Sequence, residues 1–416
     1  MTQSRQDDDD EIHITACADT RRWPRGLTLA QALRKKGISF EVFEKVHDEN
    51  QPQGWAVGLH TMLADFHASM PDDMPDFGVV NHLNPLKIMP EIAFYNGPDG
   101  EKLGYRDDGS GHWVRANRTR LRDWLSTKIN VQFNKHAVRF EESDEGVTVY
   151  FKDGSKATGD ILVGAEGVQS PTRKHLLKGQ DKLVRHKTAS VNGECTLSGD
   201  LFVEQLEVAH SSYMVDFPNA QHDDGKKYHL FVGLNRVSPD GKSGDYYFTL
   251  LWTDPEVARD ETHETFWTRT ASREELLAFV RRITAELPEK FRRVVEETKV
   301  KGMLSRQITI YTLILDEDAL PAGRVTLLGD AAHAMTPFRG EGGCHAMQDA
   351  LNLARSLASI TDKDDTESIK TILGAYQKEM LKRGSKAARL SDTQLDEGER
   401  APSMFMKPLP KDEVVI

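Results

Sequence analysis

Apolar and polar positions divide the chain into units of two periods. Leu27, Leu29, Ala30 and Leu33 share one face at helical spacing, Gly37 stops that helix, and the run 38–43 predicts a strand closed by Glu44. Leu121, Trp124 and Leu125 predict an amphipathic helix with Arg118 near its start. Residues 160–165 read as a buried strand leading through a turn to a helix, with Ser170 as N-cap and Pro171 in the first helical position. A short apolar run at 325–328 precedes Gly329-Asp330 and a helix through Asp349 and Leu353. Between these units, residues 210–253 alternate β-rich runs (228–234 and 246–252) with polar turns at Asp223-Asp-Gly and Pro239-Asp-Gly-Lys. Amphipathic helices are predicted around Pro288 within 273–298. The run 308–313 leads back toward the first kind of unit, and a polar loop at 361–367 precedes a last helix from Ser368 to about Leu390.

The chemistry concentrates after the third apolar run. Asp330 ends that strand with a carboxylate suited to accept hydrogen bonds from a ligand's hydroxyls, so a polyol is its natural partner. Pro337, Gly340, Gly342 and Gly343 keep bulk off the backbone, which lets amide N–H groups at the helix start approach an electron-rich or anionic group. Cys344 follows them. The run 329–343 resembles the GD fingerprint of the flavin-dependent aromatic hydroxylases of the p-hydroxybenzoate hydroxylase type. The resemblance implies that Asp330 holds the FAD ribitol and that Pro337, Gly340, Gly342 and Gly343 border the isoalloxazine ring.

Two further stretches carry the same resemblance. Residues 160–173 resemble the family's DG motif, near the flavin pyrophosphate and the nicotinamide route, with Glu166 where the family usually has Asp and with Gly167, Ser170 and Arg173 matching. Arg118, spaced from Leu121 and Leu125 as in the family, is implied to contact the FAD phosphate or ribitol region. Glu44, at the end of its strand, suits the adenosine ribose hydroxyls.

The front of the chain departs from the pattern. Where Gly-x-Gly-x-x-Gly belongs, only Gly26 remains, with Arg21 and Trp23 at the two earlier glycine positions. The abrupt change from residues 16–25 to an ordinary helix favours a substituted segment, such as a retained intron or shifted splice site, over a different phosphate loop. In the second case Arg21, Arg22 and Arg25 would neutralise phosphate by side chain, although Trp23 and Pro24 crowd the approach.

Composition narrows the setting. A net charge of -11 argues against nucleic acid as a partner, and no apolar run reaches transmembrane length. The acidic residues 7–11 are unlike a secretory leader and read as part of a disordered tail. Cys17, Cys195 and Cys344 form neither a disulfide framework nor a metal-ligand spacing, so a reducing, cytoplasmic location without a metal is expected. There is no internal repeat, and the Gly-Trp-x-Trp-x-Ile-Pro run of flavin halogenases is absent.

Together these readings predict an α/β protein: a discontinuous Rossmann-type FAD-binding domain with an inserted antiparallel-sheet substrate domain. The expected division is an acidic tail at 1–10, a flavin domain of 11–80, 113–180 and 305–360, and a substrate domain of 81–112 and 181–304. A helical segment follows at 361–400, then a tail at 401–416. The resemblance implies an FAD-dependent monooxygenase using NADH or NADPH and O2, through a C4a-hydroperoxyflavin. Its substrate would be an aromatic, polyketide or terpenoid small molecule, in a setting such as secondary metabolism. Trp55, in a glycine-bearing segment resembling the one beside the family's flavin ring, is a candidate for the substrate pocket. Tyr213, Tyr228, Tyr246 and Tyr247 are candidates to orient a phenol, each with sheet packing as its plainer role. The alternative is an impaired relic or binding protein, motivated by Arg21 and Trp23.

Overall fold

The computed structural model describes residues 12–18, 25–45, 54–97, 100, 102–218, 225–259, 261–262 and 264–392. The acidic tail, Arg21 to Pro24, the turn at Asp223 and the tail at 401–416 lie outside the described residues.

Four apolar strands and one short edge strand build a five-stranded parallel sheet in the order Val325–Leu327, Ile161–Ala165, His13–Ala18, Ser39–Glu44, Val131–Gln132. Ile14 sits between Ile161 and Phe40 in register, and Leu162 faces Val325. Ile161–Ala165 is buried along its whole length, as a central parallel strand covered on both faces must be. One cover is the antiparallel sheet Ala137–Ser143, Gly146–Phe151 and Lys156–Gly159, whose Phe140, Val149 and Phe151 pack with Phe43 and Leu162. The other is helical. The helix Arg25–Lys36, stopped by Gly37 at φ 71°, packs with the long helix Gly342–Leu357 through Leu27, Leu29 and Leu33. The final helix runs Thr366–Asp392.

The second body is a six-stranded sheet in the order Thr188–Ser198, Ser243–Thr253, Lys227–Val237, Ser212–Pro218, Glu91–Asn96, Lys102–Arg106. Its neighbours are antiparallel except for the parallel pair Ser212–Pro218 and Glu91–Asn96. Strand period decides which side chains go where. Tyr213, Val215, Tyr228, Leu230, Val232, Tyr246, Phe248, Leu250 and Trp252 all fall on one face. They form a core with Leu276, Val280, Phe291 and Val294 of the helices Arg273–Ile283 and Glu289–Glu297, which flank Pro288. The opposite face points toward the parallel-sheet body, and several of its residues remain half-buried. Among the described residues no helix is long and apolar enough to cross a membrane.

Candidate active site

The GD run is held from behind by one carboxylate. Gly329 has φ 61°, and its N–H donates to Asp349 Oδ2 at 2.7 Å. Asp349, fully buried on Gly342–Leu357, also accepts from His333 Nε2 at 2.7 Å and from Arg383 Nη2 at 2.6 Å. Burial alone would raise this carboxyl's pKa, but His333 and Arg383 outweigh it and hold the value at about 2. The turn so fixed places Asp330 at the start of the short helix Asp330–His333, its side chain 18% exposed.

The long helix after it begins open. Gly340 adopts the left-handed conformation at φ 66°. Glu341, at the N-cap, makes no capping bond, because its carboxylate accepts from Arg339 Nε at 3.1 Å and Nη2 at 2.9 Å. Gly342 and Gly343 therefore start the helix with no side chain capping their N–H groups, and Pro337 is exposed beside them. Cys344, one residue on, donates to Gly58 O at 3.7 Å, and burial pushes its thiol up to about 12. That contact brings the segment bearing Trp55 against the helix start. Nearby, burial lowers His60 and His345 to about 4, with repulsion from His333 and Arg383 adding to the effect at His345.

The DG residues gather next to the GD run, but their polar atoms mainly serve one another. Burial raises the Glu166 carboxyl, which accepts from Ser170 Oγ at 2.7 Å and from Thr172 Oγ1. Ser170 Oγ also accepts from Arg173 N at 3.0 Å, capping the helix Pro171–Leu176 as its sequence predicts. Arg173 is fully buried. It forks onto Asp181 at 3.0 and 2.8 Å and donates to Val168 O and, at 3.1 Å, to Ala331 O, so it ties the two motifs together. Gly167, at φ 82°, turns its backbone toward the first helix.

At the front, Gly26 is buried in the helix that opens at Arg25. Arg25 is 1% exposed and donates from Nη2 to Asp330 Oδ2 at 2.9 Å. A Cβ on Gly329 would stand 2.6 Å from its Nη1, and one on Gly167 3.2 Å from its Nη2, so the glycines of both motifs make room for this guanidinium. Its Nε and Nη1 are buried with no partner among the described residues. Glu44 is fully buried at the end of Ser39–Glu44. Arg118 opens the helix Arg118–Leu125, which Asn117 caps, and its guanidinium lies where a Cβ on Gly54 (φ 81°) would be 2.7 Å from Nη1. This donor set fits FAD: a partly exposed carboxylate for hydroxyls, an uncapped helix start for a ring edge, and orphaned cationic N–H groups for phosphate.

Beyond the helix start lies the open face of the six-stranded sheet. The Trp55 ring stacks on Tyr247 at 4.3 Å and 6°, and its Nε1 donates to Glu194 Oε1 at 2.5 Å. Tyr247 Oη accepts from buried Arg115 Nη2 at 2.7 Å, and the same guanidinium lies 6.0 Å from the Phe231 ring centre. Phe94, Met214, Phe231 and Thr249 sit half-buried in adjoining register. His229 Nδ1 pairs with Asp216 at 2.7 Å on this same face. Of the four tyrosines considered from sequence, Tyr247 alone is here; Tyr213, Tyr228 and Tyr246 belong to the core on the other side. Arg115, Phe94, Met214 and the His229–Asp216 pair escaped the sequence reading. The alternation within 228–234 would have assigned His229 and Phe231 to one face, but nothing local said which face was open.

The FAD binding domain family model matches residues 24–391. The chain is 43% identical over 378 residues to the FAD-dependent monooxygenase thnD of Trichoderma harzianum, covering 89% of this chain and 90% of that protein. It is 30% identical over 345 residues to the FAD-dependent urate hydroxylase of Klebsiella pneumoniae, covering 79% and 77%. The crystal structure of Klebsiella pneumoniae HpxO complexed with FAD and uric acid superposes with a TM-score of 0.68 at 22% identity, over 94% of this chain and 90% of that one. The order of the DG and GD motifs, the parallel sheet that carries them and these matches lead to one assignment: the chain belongs to the FAD binding domain family and is an FAD-dependent monooxygenase.

Proposed function

We propose that this enzyme uses NADH or NADPH and O2 to hydroxylate or epoxidise a flat aromatic or polyketide-like small molecule, in secondary-metabolite biosynthesis. The observation that carries this reading is the apolar floor of Phe94, Met214 and Phe231, bounded by the Trp55–Tyr247 stack and reached from the open start of the helix Gly342–Leu357. Aromatic rings present flat, weakly hydrated faces, and a planar apolar substrate matches them better than a branched or highly charged one. A terpenoid without a planar system is the less favoured substrate for the same reason.

The redox chemistry, hydride acceptance from the nicotinamide and activation of O2, is what FAD supplies when bound. The chain's residues hold and shield it. Asp330 would take the ribityl hydroxyls, the N–H groups of Gly342 and Gly343 the pyrimidine edge, Glu44 the adenosine ribose and Arg118 the phosphate or ribityl region. Glu166 and Arg173 brace the turn on which Gly167 lies. The flavin body proposed comprises 11–80, 113–180 and 305–360, and the substrate body 81–112 and 181–304. On the substrate side, His229 donates Nδ1–H to Asp216, which leaves Nε2 as an acceptor for a substrate hydroxyl proton. Free Cys195 and Cys344 accord with a reducing, cytoplasmic setting.

The test is to follow NADH and NADPH oxidation by the FAD-loaded enzyme with a panel of phenols, planar polyketides and terpenoids under ¹⁸O2. Product carrying one labelled oxygen, formed from a planar substrate with consumption of one reduced nicotinamide, is expected. Oxidation of neither nicotinamide with any planar candidate, or product without label, would overturn the proposal.

A further inference from the structure

Arg25 is the least satisfied charge in the described protein interior that also touches the cofactor motifs. It is 1% exposed, yet one hydrogen bond, to Asp330, is all the described residues offer it, and Nε and Nη1 are buried without partners. A buried cation with orphaned donors is costly, so such a group indicates a missing anion. Its location says which anion. The guanidinium lies between the positive-φ glycines of the DG and GD motifs and projects from the first residue of the helix Arg25–Lys36. In the ordinary arrangement a glycine-rich turn at this helix start binds diphosphate through backbone N–H groups. This chain has neither of the first two glycines, but it has a fork of N–H donors of the right charge and geometry for phosphate.

We propose that Arg25 is the diphosphate ligand of this enzyme, parked on Asp330 until FAD arrives and transferred to the phosphates when the ribityl hydroxyls claim that carboxylate. The inference rests on the FAD assignment. Both halves of the exchange follow from the contacts. Arg25 Nη2 now holds Asp330 Oδ2 and its guanidinium fills the space between Gly167 and Gly329, so a ribityl chain reaching that carboxylate competes with Arg25 for it. Rotation away from Asp330 frees the carboxylate and brings the two orphaned nitrogens a partner of opposite charge.

The experiment titrates FAD and riboflavin, which lacks phosphate, into the apo-protein and reads flavin fluorescence. It uses the wild type, Arg25→Ala, Arg25→Lys, Asp330→Asn and the Arg25→Ala, Asp330→Asn double variant, with far-UV circular dichroism confirming the fold of each. Loss of a charge-assisted contact should weaken FAD binding by about 10- to 100-fold in Arg25→Ala. Riboflavin should bind that variant as well as or better than wild type, because Asp330 is released. Arg25→Lys should retain part of the FAD affinity, keeping charge without the fork. In the Asp330→Asn background the FAD loss should persist and any riboflavin gain disappear. FAD binding that is unchanged or tighter in Arg25→Ala would show Arg25 to be only an obstruction. An equal loss of both flavins, or misfolding of Arg25→Ala with no FAD-selective loss in Arg25→Lys, would show a structural support. Either result overturns the proposal. A wild type that binds no flavin at all would overturn the FAD assignment and this inference with it, and is told apart because the wild type itself fails.

Discussion

Replacing Asp349 should unfasten the GD turn. Asp349→Ala removes the acceptor for three buried or half-buried donors: Gly329 N–H, His333 Nε2 and Arg383 Nη2. Breaking a buried ion pair by deleting one partner costs about 3–5 kcal/mol, and an orphaned backbone N–H about 1–3 kcal/mol more. Arg383 keeps Glu379 as a second partner at 2.8 Å, which puts the cost near the low end, about 4 kcal/mol or roughly 1,000-fold in the equilibrium. Asp349→Asn keeps an acceptor and loses only the charge. The carboxyl pKa falls from 3.8 to about 2 on folding, so its ionisation contributes about 2 kcal/mol at pH 7. The two figures differ because one measures deletion of the group and the other only its charge. A depressed carboxyl stabilises the fold above its unfolded pKa and loses that contribution as pH falls through the folded value. The gap between wild type and Asp349→Asn should therefore hold from pH 7 to 5 and shrink to about half by pH 3. Urea unfolding of the apo-protein, followed by tryptophan fluorescence and read at the first transition, checks both numbers. An Asp349→Ala variant within about 1 kcal/mol of wild type, or an Asp349→Asn gap that does not change with pH, would show that Asp349 does not fasten the turn.

Gly329→Ala puts a Cβ 2.9 Å from that of Ala346, besides its clash with Arg25, on a backbone at φ 61°; it should lower FAD affinity at least about tenfold, read by flavin fluorescence. Trp55→Ala removes the stack on Tyr247 and the bond to Glu194; KM for a planar substrate should rise about tenfold with kcat nearly constant, and an unchanged KM would remove Trp55 from the pocket. His60 and His345 titrate near 4 when folded and at 6.5 when unfolded, so the unfolded chain takes up protons first as pH drops. Stability should thus fall from pH 6.5 toward 4, by about 2 kcal/mol per histidine at pH 5, and His345→Gln should flatten that slope in denaturation midpoints.

Much of the site was legible because it is local. Strand, positive-φ glycine, acid and helix start follow one another within residues 325–343, and the order reflects rules acting over a few residues. Ser170 caps its helix as Pro171 after it suggests, and Leu121, Trp124 and Leu125 bury the face their spacing marks out. For Glu166 and Arg173 local pattern says less. Their residue types match a ligand-facing motif, but whether a carboxylate faces outward or accepts from Ser170 and Thr172 depends on a turn's exact path, which pattern alone leaves open.

The kind of protein is written in local pattern: α/β units carrying the GD and DG motifs in order, with a β-rich middle, depend on periodicity and on glycine conformations that neighbouring residues impose. Partnership between distant residues comes from the packed fold. Arg25 meets Asp330 across 305 positions, Arg115 meets Tyr247 across 132, and Trp55 reaches Glu194 across 139. Such pairs form only when packing brings distant strands and helices together, and the energy of a buried charge or ring depends on that company rather than on its neighbours in the chain.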